Sequence, residues 1–382
     1  MKRFLSLLFF LFMVAALFAQ QKSSLDKEKL FDFYQNQKYA EAAKYLTSIY
    51  GEDINDAKIL IQIGYCYLMS GNNVEAEKFY TKAYAQQPQN LPILFSLGNI
   101  NWKRGNADKA KLYYGEIIKI DSNNFTVYKL LADILTTKDS LRSVYLIKAN
   151  KLNPTEADVA YDLADLYANL QKHAIAYKTL QIAIAADTGN IVLKKAILPI
   201  ANFLKKYNEV ILEGEKILQV NQDAAVIKDV AKAYYFTKDY EKAIAKFKIL
   251  ETLAMQNEAT LYYTSLSYRA LKNYQAAVIY TKKTIEEGIS DNTSNYYALL
   301  GLVYEESEKL SLANSAYKKG LEFKAEPNIY YRLALLYDLK YKEVKQASKY
   351  YNLYLKSKPN PIKDKDEIKY VKSRMEELKI LD

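Results

Sequence analysis

The 382-residue chain has a single cysteine, Cys66, so no disulfide can close within it and packing alone must hold the fold. It has a single histidine, His173, in the segment Gln171-Lys172-His173-Ala174. One His and one Cys far apart along the chain cannot build a His/Cys metal site. A nucleophile triad would need a distant segment folded back onto that one imidazole. Cys66 lies beside packing positions and reads as a buried small hydrophobe rather than a reactive thiol. Glycine is scarce as well: 11 residues supply neither a phosphate-binding loop nor a dinucleotide fingerprint. With only 7 prolines, a β-rich chain of many tight turns is equally disfavoured. No cofactor is expected.

What is present begins with an address. Lys2 and Arg3 precede an apolar run from Phe4 to Phe18 broken only by Ser6, then Ala19-Gln20-Gln21. A short basic start, an apolar stretch too short to span a bilayer and small residues at its end describe a secretory signal, residues 1–19, cleaved after Ala16 or Ala19. Retention as an uncleaved anchor is the alternative. The expected location is periplasmic or secreted, with no further membrane span. Without Lys2 and Arg3 the formal charge falls by two from +10, and it is spread along the chain. That balance makes nucleic acid a poor partner for an exported chain.

Half the residues are hydrophobic, which excludes disorder, and they are periodic. Small residues recur at Gly64, Gly98, Ala132, Ala164, Ala231, Ser265, Gly301 and Ala334, with Leu198 at the one large exception. A second series runs Ala42, Ala76, Ala110, Ala176, Val210, Ala243, Ala277, Ala313 and Ala347. Both step by about 34 residues. Inside a unit the apolar spacing is helical: Leu60, Ile63, Gly64 and Tyr67, then Ala76, Tyr80 and Ala83 after a turn at Gly71-Asn72-Asn73, with Pro88 as a stop. Each unit is therefore two antiparallel helices whose small residues admit close approach.

Leu60, Ile63-Gly64, Tyr67, Ala76, Tyr80, Ala83 and Pro88 resemble the tetratricopeptide repeat position by position. The resemblance implies an all-α, right-handed superhelical solenoid of about ten hairpins. It divides the chain into an array over 20–190, a divergent repeat over 191–223, a second array over 224–360 and a capping helix within 361–382. In the divergent repeat Leu198 stands where a small residue belongs, Gly214 where an aromatic belongs, and Pro199 lies inside the first helix, where it is expected to kink or shorten it and to change the curvature. The last helix, starting near Asp364 or Asp366, carries an apolar stripe of Ile368, Val371, Met375 and Leu378, suited to covering the final hairpin.

The same resemblance sorts the tyrosines. Tyr67, Tyr80, Tyr114, Tyr167, Tyr304, Tyr317, Tyr337 and Tyr351 fall on packing positions. Residues that line the concave face in such proteins are here Tyr65, Phe95, Asn99, Trp102, Lys129, Asp133, Tyr161, Asp165, Lys195, Asn202, Lys228, Lys232, Tyr235, Tyr262, Arg269, Tyr331 and Asp338. The Lys/Asn pairing with which some relatives grip a peptide carboxylate is absent: Asn99 follows Phe95, Asp133 follows Lys129 and Pro199 follows Lys195. Asp133 and Asp165 could face one another as paired acids, though partnering by Lys129 or water is the plainer reading. The expected function is a binding scaffold for a protein or peptide in that groove. A structural component of an envelope assembly or secretion complex, or recognition of envelope glycan, is the alternative, and an enzyme the distant third.

Overall fold

The computed structural model describes residues 25–51 and 53–381, and every regular element among them is helical. The helices are α1 (Lys27–Gln35), α2 (Tyr39–Tyr50), α3 (Ala57–Met69), α4 (Asn73–Gln86), α5 (Leu91–Lys103), α6 (Ala107–Ile120) and α7 (Phe125–Ile134). Then come α8 (Ser140–Leu152), α9 (Ala157–Asn169), α10 (His173–Ala186), α11 (Ile191–Phe203), α12 (Tyr207–Val220), α13 (Ala224–Phe236) and α14 (Tyr240–Thr252). The chain continues through α15 (Glu258–Ala270), α16 (Tyr274–Glu286), α17 (Thr293–Glu306), α18 (Leu310–Phe323), α19 (Pro327–Leu335), α20 (Val344–Lys356) and α21 (Lys365–Leu381). A π-helical stretch, Leu336–Tyr341, extends α19. The result is ten consecutive helix pairs and a terminal helix. The expected signal over residues 1–19 lies outside the described residues.

Local chemistry places both ends of these helices. Asp26, Asp56, Asn90, Asn124, Asn190, Asp223 and Asn257 each accept backbone N–H groups at the start of a first helix, and such a cap contributes about 1 kcal/mol. Within nine of the ten pairs, all but α7–α8, the chain reverses through one residue with positive φ. These residues are Gln37, Gly71, Gly105, Gln171, Lys205, Lys238, Lys272, Glu308 and Lys342. They keep step with the alanine series, each five positions before it, so the turn carries the same period as the core.

The chain divides into two compact units, one ending at Leu166 and one starting at Tyr167. In the first, Leu46, Leu60, Ile63, Ala76, Phe79, Ile93 and Ile100 share one buried cluster, and Leu94, Ala110, Tyr114 and Ile117 a second. In the second unit a cluster runs from Leu300 to Leu378. Val371 and Leu378 of α21 are buried in it, with Ile368 and Met375 packed alongside. The stripe of the terminal helix thus covers the last hairpin.

Every residue of the second small-residue series is fully buried, and so is every residue of the first. The reason is volume. A methyl on Gly64 would sit 3.0 Å from the Tyr80 ring, and one on Gly301 2.5 Å from Tyr317. On Gly98 it would collide with Tyr114 outright. Each glycine lies sixteen residues before its tyrosine. Leu198 and Gly214 have this same separation with the roles exchanged: Leu198 Cδ1 reaches to 3.8 Å of where a Gly214 methyl would be, and Val230 fills the remaining space. The divergent hairpin is therefore an inversion of the pair rather than a loss of it. Pro199 does not shorten its helix either, since α11 has the same 13 residues as α13 and α15. The proline is exposed, so the bond it removes is lost on the solvent side.

Of the eight packing tyrosines, Tyr80, Tyr114, Tyr304, Tyr317, Tyr337 and Tyr351 are buried, while Tyr67 and Tyr167 are half-buried. Their hydroxyls still find partners. Tyr114 donates to Asn99 (2.6 Å), Tyr317 to Glu305 (2.8 Å) and Tyr351 to Asp338 (3.0 Å). A buried phenol left without such a partner would cost about 1–3 kcal/mol.

Candidate functional site

In the second unit, where the first helices of successive hairpins run side by side, three cavities adjoin. A cavity of about 550 Å³ is walled by Tyr262, Tyr263 and Arg269 of α15, Asn295 of α17, and Asn328 and Arg332 of α19. A second, of about 450 Å³, shares Asn295 and Asn328 with it and continues to Tyr331, Tyr354 and Glu367. A third, of about 310 Å³, shares Ala259 and Tyr263 and continues back to Asn202. Shared walls make the three one trough, from Pro199 to Glu367.

Tyr262, Tyr263 and Tyr296 line it, and further rings pack behind them. Tyr207 stacks on Phe236 (4.9 Å between centroids), Tyr235 meets Tyr263 edge-on (5.0 Å), and Tyr262 tilts against Tyr296 (5.2 Å). Phe236–Tyr263 and Tyr262–Tyr263 contacts join these pairs into a continuous chain. Burial pushes the Tyr235, Tyr262 and Tyr263 hydroxyls above their ordinary range, so all three remain neutral donors.

The cations expected on this face divide into two groups. Lys195 binds Asp223 of the next hairpin (2.7 Å), which holds that carboxyl below its usual range. Arg269 forks onto both oxygens of Glu306. In the first unit Lys129 reaches Glu156 (2.6 Å) and Asp158 (2.9 Å), rather than Asp133. These three side chains join adjacent hairpins. Lys228 and Lys232, by contrast, form no ion pair among the described residues, and neither does Arg332. The carboxamides of Asn295 and Asn328 likewise have no described partner.

Other groove candidates are scattered. Tyr65 is 42% exposed and edge-on to Tyr39; Trp102, 40% exposed, has no ring partner among the described residues; Tyr161 is exposed. Phe95 is half-buried against the core around Tyr114, and Asn99 is held by that tyrosine's hydroxyl. Asp133 and Asp165 are both exposed. Tyr331 packs on Tyr354 (5.4 Å) and on Tyr370 of α21. Asp338 is no groove residue at all. It is 4% exposed and accepts Arg374 of α21 in a fork (2.9 and 2.8 Å) together with Tyr351, so it fastens the terminal helix.

The trough also contains residues that positional matching missed: Tyr263, Asn295, Asn328, Arg332 and the buried Asp229. Asn295 and Asn328 lie in the first turns of α17 and α19, outside the positions carried over from the family. Cys66 is buried, its thiol is pushed up by that burial, and Tyr34 lies 3.5 Å away. His173 packs over Phe203 (3.6 Å between ring centroids). Among the described residues no cluster of three or more His, Cys, Asp or Glu is placed to hold a metal, and no helix is long and apolar enough to cross a membrane.

Family models for the tetratricopeptide repeat match residues 32–90 and 68–134, which coincide with the first helical pairs. The chain is a tetratricopeptide-repeat protein. No curated protein matches the sequence. Among solved structures, this tetratricopeptide-repeat chain is similar to a tetratricopeptide repeat protein from Parabacteroides merdae, at 18% identity over 65% of this chain and 98% of that one, TM-score 0.40. It is also similar to MamA from AMB-1, at 21% identity over 43% and 90%, TM-score 0.36. The human IFIT1 dimer with PPP-AAAA aligns at 15% identity over 94% and 88%, TM-score 0.46.

Proposed function

We propose that this chain is an exported scaffold whose second unit holds an extended segment of a protein partner along the trough from Pro199 to Glu367. The observation that carries this reading is the coincidence of three unspent kinds of group in one concavity. Rings at Tyr262 and Tyr263 supply apolar area with a polar handle. Free carboxamides at Asn295 and Asn328 suit backbone N–H and C=O groups, each such bond contributing about 0.5–1.5 kcal/mol. Arg332, Lys228 and Lys232 have no carboxylate partner among the described residues and are available to acidic side chains. The scaffold has no chemical step of its own. Export rests on the basic start and apolar run of residues 2–18.

The test is a displayed library of random peptides selected on the purified chain. Enriched peptides should bind the wild type saturably and at least tenfold more weakly to Tyr262→Ala combined with Arg332→Gln. Failure to enrich any peptide, or equal affinity for both forms, rejects the trough. Mass spectrometry of the protein recovered from its native cell should show a new N-terminus at residue 17 or 20, and an intact Met1 would reject cleavage.

One observation favours assembly as a second reading. Leu141, Val144 and Ile147 are each about half exposed on one side of α8 in the first unit, an apolar strip of the kind that joins subunits.

A further inference from the structure

The 310 Å³ end of the trough differs chemically from the rest. Its floor is formed by Asn202 of α11 and Asp229 of α13, 5% and 8% exposed. The Asn202 amide group donates to the Asp229 carbonyl (3.0 Å) and leans toward its carboxylate (3.4 Å). That contact fixes the amide's orientation and turns its oxygen, Oδ1, away from both acceptors. Oδ1 is buried with no donor. The Asp229 carboxylate has no ion pair either, and its desolvation pushes its affinity for a proton up. A buried acceptor without a donor costs about 1–3 kcal/mol; Asn202 Oδ1 is one, and beside it the Asp229 carboxylate has the Asn202 amide as its one described side-chain donor, at the bottom of the cavity. The floor calls for a group rich in N–H donors.

The rim calls for the opposite charge. Lys228 and Lys232 stand one turn apart on α13 and line the same cavity. Lys232 Nζ lies 5.8 Å over the Tyr263 ring, and neither ammonium has a carboxylate within ion-pair reach. Of the remaining walls, Phe247 and Tyr263 lie parallel with centroids 6.4 Å apart, Pro199 closes the side, and the polar Asn257 and Thr260 are spent on each other in a capping box. A lone ammonium ligand would satisfy the floor against two lysines; a lone carboxylate would satisfy the rim against a buried acid. A ligand with both, on adjacent atoms, satisfies every group.

We infer that this cavity is a site for a free α-amino acid with an apolar or aromatic side chain. Its ammonium sits on Asn202 Oδ1 and the Asp229 carboxylate, its carboxylate meets Lys228 and Lys232, and its side chain lies against Phe247, Tyr263 and Pro199. The α-ammonium chemistry is shared with the N-terminus of a peptide, and the paired lysines decide for the free amino acid, because a peptide's first carbonyl carries no charge for them. This assignment stands whether or not the wider trough binds a peptide, although an occupant would share the Tyr263 wall and the Lys228 and Lys232 ammonium groups with it.

Calorimetric titration of the purified chain tests it with four probes: L-phenylalanine, N-acetyl-L-phenylalanine, L-phenylalanine amide and the dipeptide phenylalanyl-glycine. Phenylalanine should bind saturably, the acetylated form should not bind, and the amide and the dipeptide should bind at least tenfold more weakly. Asp229→Asn should weaken phenylalanine at least tenfold. Lys228→Gln with Lys232→Gln, which leaves the floor untouched, should weaken phenylalanine yet leave the amide unchanged. That lysine variant decides the matter should Asp229→Asn lower the melting temperature. Absence of saturable phenylalanine binding, or equal binding of the acetylated form, overturns the assignment. A dipeptide that binds more tightly than phenylalanine also overturns it and makes the floor a reader of peptide N-termini.

Discussion

Hairpin α5–α6 and hairpin α11–α12 solve one packing problem in opposite ways. In the first, Gly98 yields to Tyr114; in the second, Leu198 projects toward Gly214, with Val230 completing the fill. The separation is sixteen residues in both. What the architecture conserves is the volume shared by two facing positions, while the residue at either position is free to change with its partner. A rule written for single positions sees a defect at Leu198; a rule written for pairs sees none.

The comparison can be broken most severely at its largest side chain. Tyr114→Ala empties a fully buried site and should cost about 3–5 kcal/mol, read as a lower denaturation midpoint. Overfilling is milder. Gly98→Ala drives a methyl into the Tyr114 ring and should cost about 1–3 kcal/mol despite the better helix propensity of alanine. The inverted pair sharpens the contrast through coupling. Gly214→Ala clashes with Val230, so adding Val230→Ala should recover part of the loss, with an interaction energy of about 1 kcal/mol in a double-mutant cycle. Strict additivity there would show that Val230 does not complete the inverted pair.

The smallest effect concerns the cap. Arg374 holds the Asp338 carboxyl below its ordinary range. A carboxylate depressed in the folded state contributes stability that is present above its unfolded pKa, about 3.9, and lost as pH falls through the folded value. Asp338→Asn should therefore cost about 1 kcal/mol near neutral pH. The difference from wild type should shrink below about pH 4, as followed by hydrogen exchange in α21. A constant difference across that range would reject the ion pair as the fastening.

The fold was legible because its determinants repeat. The two small-residue series each recur nine times in a fixed local context, so the same physical reason is stated in hairpin after hairpin. The trough was legible only in part. Lys228, Lys232, Tyr262 and Tyr331 line cavities of the second unit, but Lys129, Lys195 and Arg269 are occupied by carboxylates 27 to 37 residues away, in the next hairpin. Nothing in a single unit announces which acid the neighbour will present. Asp338 was misread for the same reason, since Arg374 lies 36 residues downstream on a helix that belongs to no repeat. Asp229 escaped because burial, not residue type, makes it unusual.

The turns hold a consequence for engineering. Of the nine residues that reverse the chain within hairpins at positive φ, only Gly71 and Gly105 are glycine; the other seven carry side chains in a conformation costing them on the order of 1 kcal/mol each. Those seven joints are distant in sequence from one another, so their replacement by glycine should raise thermal tolerance in nearly independent increments. A designer could thus set the rigidity of this molecule hairpin by hairpin, leaving its inner surface as it is.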